Sequence, residues 1–163
     1  MTSPLPSVDH DHARCVDDAL NRAAALCARR GARLTELRRR VLELVWQGHA
    51  AVKAYDVLDR LGREAGSAKP PTVYRALDFL IAHGLVHRLE SLNAFVGCPQ
   101  PEASHSGRFL ICDGCGDVTE FESRAIEDAI ADRAGELGFA IRGETVEARG
   151  LCQRCRAAAA GAA

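Results

Sequence analysis

Along the first half of the chain, apolar residues recur in steps of three and four. From Asp9 to Arg30, residues Cys15, Ala19, Leu20, Ala23, Leu26 and Cys27 share one face, which predicts a helix ending at Gly31. Thr35 can cap a second helix that runs through Leu37, Val41, Leu44 and Val45 to Gln47. A third covers Ala54 to Glu64, with Val57, Leu58 and Leu61 inward. The Pro70-Pro71 pair opens a fourth, because a missing N–H costs nothing in a first helical turn. Its buried stripe is Val73, Ala76, Leu77, Leu80 and Ile81, and Gly84 closes it.

The period then changes. Leu85–Glu90 and Asn93–Val96 alternate as two short strands about Ser91-Leu92-Asn93. Helices two to four plus this hairpin make a winged helix-turn-helix. After Gly97 the order is β, α, β: short strands at Phe109–Cys112 and Val118–Phe121, a helix from Arg124 to Leu137 capped by Ser123, and a longer strand from Phe139 to Ala148. The Ala-rich tail from Ala157 is expected to fray. The fold class is therefore α+β. The expected division is a winged-helix domain at 1–97 (1–12 disordered), a linker at 98–107 where Pro99, Pro101 and Ser104 interrupt regular structure, and a small α/β zinc-binding domain at 108–163.

Composition adds little until it is resolved along the chain. Hydrophobic residues at 47% and charged residues at 26% suit a soluble globular protein. No run approaches the ~20 apolar residues needed to span a bilayer. Met1–His12 lacks the basic flank and apolar core of a secretory signal. A cytoplasmic location with no membrane partner is expected. The net charge of −1 hides an asymmetry. Arg22 to Arg75 holds twelve Lys or Arg against five Asp or Glu, whereas Ser91 to the end holds seven against eleven. A basic first half suits a nucleic-acid module, although a solvated helical surface would look the same.

Seven cysteines would leave one over from a full disulfide framework, which favours metal ligation in a reducing compartment. Two C-x-x-C pairs, Cys112/Cys115 and Cys152/Cys155, bracket the β-α-β unit. Two intervening residues let both sulfurs reach one ion from a tight turn, which Gly114 and Gly116 relax. Four thiolates close a tetrahedral zinc shell with no open position, and such a site is structural. The competing reading is a redox pair, which usually stands at a helix N-terminus; two pairs at knuckle-like turns do not suit it. Four further candidates, His87, Cys98, His105 and Glu120, flank the boundary between the halves. One thiolate, two imidazoles and one carboxylate form a plausible zinc set. Singly, each also reads as a packed strand residue, a small buried thiol, a solvated loop histidine or an ordinary carboxylate.

The segment Ala68-Lys69-Pro70-Pro71-Thr72-Val73-Tyr74-Arg75-Ala76-Leu77 resembles the recognition-helix signature of the ferric uptake regulator family, and Leu110-Ile111-Cys112-Asp113-Gly114-Cys115-Gly116 resembles its C-terminal zinc knuckle. Gly84-Leu85-Val86-His87-Arg88 and Glu90-Ser91 resemble its wing. The resemblance covers about Leu26 to Cys155. Iron and peroxide sensors of the family carry a His-rich run before the first knuckle. Here Ser104-His105-Ser106-Gly107-Arg108 holds one histidine, which is more similar to the zinc uptake regulator branch. The resemblance implies two zinc ions per monomer, one structural and one regulatory on His87, Cys98, His105 and Glu120. It also implies a homodimer through the C-terminal half and an A·T-rich palindromic operator upstream of zinc-import genes.

A recognition helix Thr72–His83 would enter the major groove N-terminus first. Tyr74 and Arg75 are then the candidates for base contact, with Lys69, Thr72, Arg33, Arg29 and Arg30 toward phosphates. Packing against the second helix is the competing reading of Tyr74. Three other functions stay open at this point. A zinc enzyme needs an open metal position and a general base, and neither an H-x-E nor an H-E-x-x-H motif occurs. A metal-independent interaction module would carry structural zinc only. Within the family, iron or another divalent ion could be the effector.

Overall fold

The computed structural model describes residues 12–48, 50–65, 69–102 and 107–161. These residues form two compact units, 12–102 and 107–161.

The N-terminal unit contains α1 (His12–Arg29), α2 (Glu36–Trp46), α3 (Ala54–Ala65), α4 (Pro70–Ala82), β1 (Val86–Leu89) and β2 (Ala94–Gly97). Leu20, Ala23, Leu26 and Cys27 of α1 meet Val41, Leu42, Leu44 and Val45 of α2 in one core. Val57 and Leu61 of α3 and Val73, Leu77 and Leu80 of α4 complete it. The stripes read from the sequence are the faces that bury, because an amphipathic helix gains most of its stability from packing. Thr35 accepts the Arg38 N–H and caps α2, while Pro70 and Pro71 occupy the first turn of α4 after Lys69. Residues 9–11, where the sequence starts the first helix, lie outside the described residues.

At the end of α4, Gly84 has φ +68. Its N–H donates to the Ile81 carbonyl and the Leu85 N–H to the Leu80 carbonyl. This left-handed step turns the chain into the wing and buries Leu85. β1 and β2 pair antiparallel, Val86 opposite Gly97 and Leu89 opposite Ala94. Val52 bridges Phe95 and ties the wing to the segment before α3. A Cβ on Gly97 would lie 2.2 Å from the Trp46 indole. Gly97→Ala should therefore push Trp46 off β2 and destabilise the winged helix by about 1–3 kcal/mol, the usual cost of overpacking. Thermal melting of the variant tests this, and an unchanged midpoint would show that the indole swings aside freely.

The C-terminal unit contains β3 (Gly107–Cys112), β4 (Val118–Glu120), α5 (Arg124–Glu136), β5 (Thr145–Gly150) and α6 (Gln153–Ala160). The sheet order is β4-β3-β5, with β4 antiparallel and β5 parallel to β3. Ser123 accepts the Ile126 N–H and caps α5. Two expectations are corrected. The last strand starts at Thr145, not Phe139. Residues 137–139 finish the helix instead: Phe139 N–H donates to the Ala134 carbonyl, Gly138 has φ +65, and the Phe139 and Ile141 side chains stay exposed. The tail is helical to Ala160 and does not fray at Ala157, in keeping with alanine's helix propensity. Among the described residues, no helix is long and apolar enough to cross a membrane.

Candidate metal and nucleic-acid sites

Few side chains of the C-terminal unit are buried: Phe109, Ile111 and Ala134, with Arg108 and Cys112. So small a core needs another tie. One lies at the end of β3, where Cys112 leads into the turn 113–115 and the Asp113 N–H donates to the Gly150 carbonyl at 2.7 Å. The chain then reaches Cys152, which stands at the N-cap position of α6, and Cys155 in its first turn. The second pair thus stands at a helix start and not at a second knuckle, which corrects the sequence reading. The argument against redox chemistry from turn geometry applies to the first pair only.

Sulfur geometry supplies a better argument. The four Sγ atoms lie within 4.8 Å of one another, and Cys115 Sγ and Cys152 Sγ are 3.9 Å apart. Four sulfurs about 2.3 Å from one tetrahedral ion stand about 3.8 Å from each other. The residues fit zinc. A Cβ on Gly114 would lie 2.9 Å from Cys155 Sγ, so the knuckle closes on the second pair only with glycine there.

The local electrostatics prepare the set unevenly. Cys112 falls to about 6, because the N–H groups of Cys152, Cys115 and Gly114 donate to its sulfur. Cys155 is pushed up to about 12 by its hydrogen bonds with the Cys152 and Cys112 sulfurs. Binding of a divalent cation displaces the protons that remain. Arg154 hydrogen-bonds Cys115 and pairs with Asp117 at 3.0 Å, and Arg149 pairs with Asp113 at 2.6 Å. These partners brace the turn and offset thiolate charge. The sequence reading missed them, although Asp113 and Arg154 occupy the x positions of the two motifs.

In the N-terminal unit, His87 lies half-buried on β1, and Cys98 is buried just past β2. The Cys98 N–H donates to the Leu85 carbonyl at 3.0 Å, extending the hairpin, and the His87 and Cys98 ligand atoms come within 4.8 Å. Glu120 ends β4 in the C-terminal unit, half-buried opposite Phe109. His105 lies outside the described residues.

The residues expected from the sequence to contact DNA lie at the starts of two helices. Lys69, Thr72 and Arg75 are exposed at the start of α4, as is Arg33 before α2. Tyr74 is 53% exposed, which argues against a packing role against α2. Arg29 pairs with Glu102 at 2.6 Å and Arg30 donates to the His83 carbonyl at 2.8 Å, so both have partners within the unit. In the run Arg38-Arg39-Arg40, Arg38 lies over the Phe79 ring and Arg40 pairs with Glu43 and Glu64, leaving Arg39 outward. An unanticipated exposed aromatic is Tyr55, 74% accessible in the first turn of α3. The stripe Ala54, Val57 and Leu61 places it on the opposite face.

Residues 29–149 match the model of the ferric uptake regulator family. The chain belongs to that family. It is a family of transcription regulators and not of enzymes. The chain is 45% identical over 141 residues to the zinc uptake regulation protein of Escherichia coli K12, covering 85% of this chain and 81% of that protein. It is 33% identical to the ferric uptake regulation protein of Brucella abortus (strain 9-941) over 117 residues, 69% of this chain and 79% of the relative. Among solved structures, a zinc uptake regulator complexed with zinc and DNA superposes with a TM-score of 0.85 at 42% identity, over 89% of this chain and 97% of that one. Holo XcZur superposes with a TM-score of 0.80 at 47% identity, over 86% and 99%. The architecture is the family's: an N-terminal winged helix-turn-helix domain and a small α/β dimerisation domain carrying the four-cysteine site.

Proposed function

We propose that the chain is a cytoplasmic, zinc-responsive transcriptional repressor that binds operator DNA as a zinc-loaded homodimer and controls zinc-uptake genes. The observation that carries this reading is the close likeness, over nearly the whole chain, to a regulator solved with zinc and DNA. The 45% identity to the Escherichia coli zinc uptake regulation protein, against 33% to the Brucella abortus ferric uptake regulation protein, favours zinc as the effector. Each monomer holds two zinc ions. One is structural on Cys112, Cys115, Cys152 and Cys155; the other is regulatory on His87, Cys98, His105 and Glu120. The mixed donor set suits zinc and is less purely thiolate than the structural one, as an ion that must come and go requires. In chain order the regulatory ligands run from the wing (His87) through the linker 98–107 (Cys98 and His105) to the dimerisation domain (Glu120). Metal binding regulates only by favouring the DNA-competent arrangement over others.

The second copy is expected to pair along β5, a six-residue strand at the edge of the sheet. The DNA partner is a double-stranded, A·T-rich palindrome, matching the two-fold symmetry of the dimer. Tyr74 and Arg75 read bases, and Thr72, Lys69 and Arg33 hold phosphates. The test is operator binding against buffered free Zn(II), Fe(II) and Mn(II). Zinc-selective binding supports the reading, and Fe(II)-selective binding would replace it with an iron regulator. Within that assay, Arg75→Ala should lose about 1–3 kcal/mol of preference for operator over mismatched duplex. Equal losses on specific and random DNA would reassign Arg75 to phosphate contact.

A further inference from the structure

Among the described residues, Arg108 is the one charged side chain that is fully buried, and neither metal site uses it. A buried guanidinium persists only when paired. Arg108 Nη2 lies 2.9 Å from Glu144 Oε1, and Nε donates to the same oxygen at 3.1 Å. Glu144, itself 11% exposed, immediately precedes β5. Glu127 of α5 stands 3.8 Å from the same guanidinium. Through its backbone, Arg108 also holds β4: its carbonyl accepts the Phe121 N–H at 2.9 Å, and the next residue, Phe109, is in register with Glu120.

One residue therefore ties together the exit of β4, the strand β3, the approach to β5 and, through Glu127, the first turns of α5. It does so at the end of β3 away from the thiolates. β3 is held at Cys112 by the structural cluster and at Arg108 by a buried ion pair. In the segment that leads to Glu144, Phe139 and Ile141 are exposed, and the space around the Cβ position of Gly143 is open.

We propose that Arg108, paired with Glu144, is a positioning residue that sets the place of Glu120 and thereby the zinc affinity of the regulatory site. The proposal rests on the assignment of Glu120 to that site. In this role Arg108 acts through the β3–β4 ladder. The sign of the effect separates positioning from charge. Removal of a nearby cation would by itself tighten binding of Zn(II), whereas a loosened Glu120 would weaken it.

The experiment uses the full-length homodimer and measures regulatory zinc by competition with a chromophoric chelator, alongside thermal melting. The variants are Arg108→Met, the double variant Arg108→Met/Glu144→Met, and Cys98→Ala as a reference for loss of the site. Arg108→Met should weaken the regulatory zinc about tenfold, at the low end of what outer-shell partners cost, and keep the structural zinc. It should also melt lower, because Glu144, only 11% exposed, is left as an unpaired charge. The double variant should recover most of the melting temperature and still bind regulatory zinc weakly. Where Arg108→Met does not fold, the double variant alone decides. Wild-type or tighter regulatory affinity in either Arg108 variant, with Cys98→Ala losing the ion, overturns the positioning role alone. Retention of the second zinc by Cys98→Ala overturns the site assignment and this proposal with it.

Discussion

Cys98→Ala is expected to strip the regulatory zinc under mild chelation while the dimer keeps one tightly held zinc per chain. Cys98 is buried, and its N–H continues the β1–β2 hairpin by donation to Leu85, a bond that alanine preserves. Loss of one sulfur in exchange for hydrogen leaves the core nearly unchanged. At the metal, however, the substitution removes the only thiolate of the proposed set, and with it both a negative charge and the soft donor that favours zinc. The affinity should fall by orders of magnitude, beyond the about 10–100-fold that an outer-shell partner costs. Operator binding should then demand far more free zinc or fail. His87→Ala should act in the same direction, with an added effect on the wing strand. Zinc content after chelation, paired with DNA binding in metal-buffered solution, measures this. A Cys98→Ala protein that keeps two zinc ions and binds at the wild-type zinc level would place sensing elsewhere.

Cys112→Ser or Cys152→Ser should remove the structural zinc and unfold the C-terminal unit. Structural zinc in small domains contributes about 10–16 kcal/mol of apparent binding free energy at neutral pH, and that binding is folding free energy. This unit buries too few apolar side chains to replace it, Phe109 and Ile111 being the chief ones. Cys112 is the more severe site, because three backbone N–H groups converge on its sulfur and a shorter serine oxygen cannot occupy the same place. Dimerisation should fail with the sheet that supports it. The N-terminal unit has its own core and should still melt cooperatively. Zinc per monomer, sedimentation and melting test this; normal dimers with normal melting would remove the assignment.

Much of the N-terminal unit was legible because its determinants are local. Apolar steps of three and four name the buried faces of α1 to α4, Thr35 and the Pro70-Pro71 pair name two helix starts, and Gly84 names the turn into the wing. The C-x-x-C pairs were legible for the same reason, since two residues between thiols already fit one ion. That the two pairs share one ion was an inference from order, and the sulfur separations carry it. The contacts that hold Arg29, Arg30 and Arg40 inside the unit were invisible, because all but one of their partners lie 24 to 73 residues away and outside the arginine's own helix.

The sequence by itself determined the element order as far as β5, the helix faces, the caps and the four-thiolate chemistry, all of which follow from backbone preference and side-chain spacing within a turn or two, while α6 went unread. Tertiary structure decided what depends on pairing across the chain. β5 begins at Thr145 because Gly107 is where β3 offers it a partner, so the apolar run from Phe139 stays outside the sheet. Gly97 is glycine because Trp46 rests on it, and Arg108 is tolerated in the core because Glu144 meets it there. In each case the deciding term is a close contact between residues tens of positions apart, and no local pattern encodes such a distance.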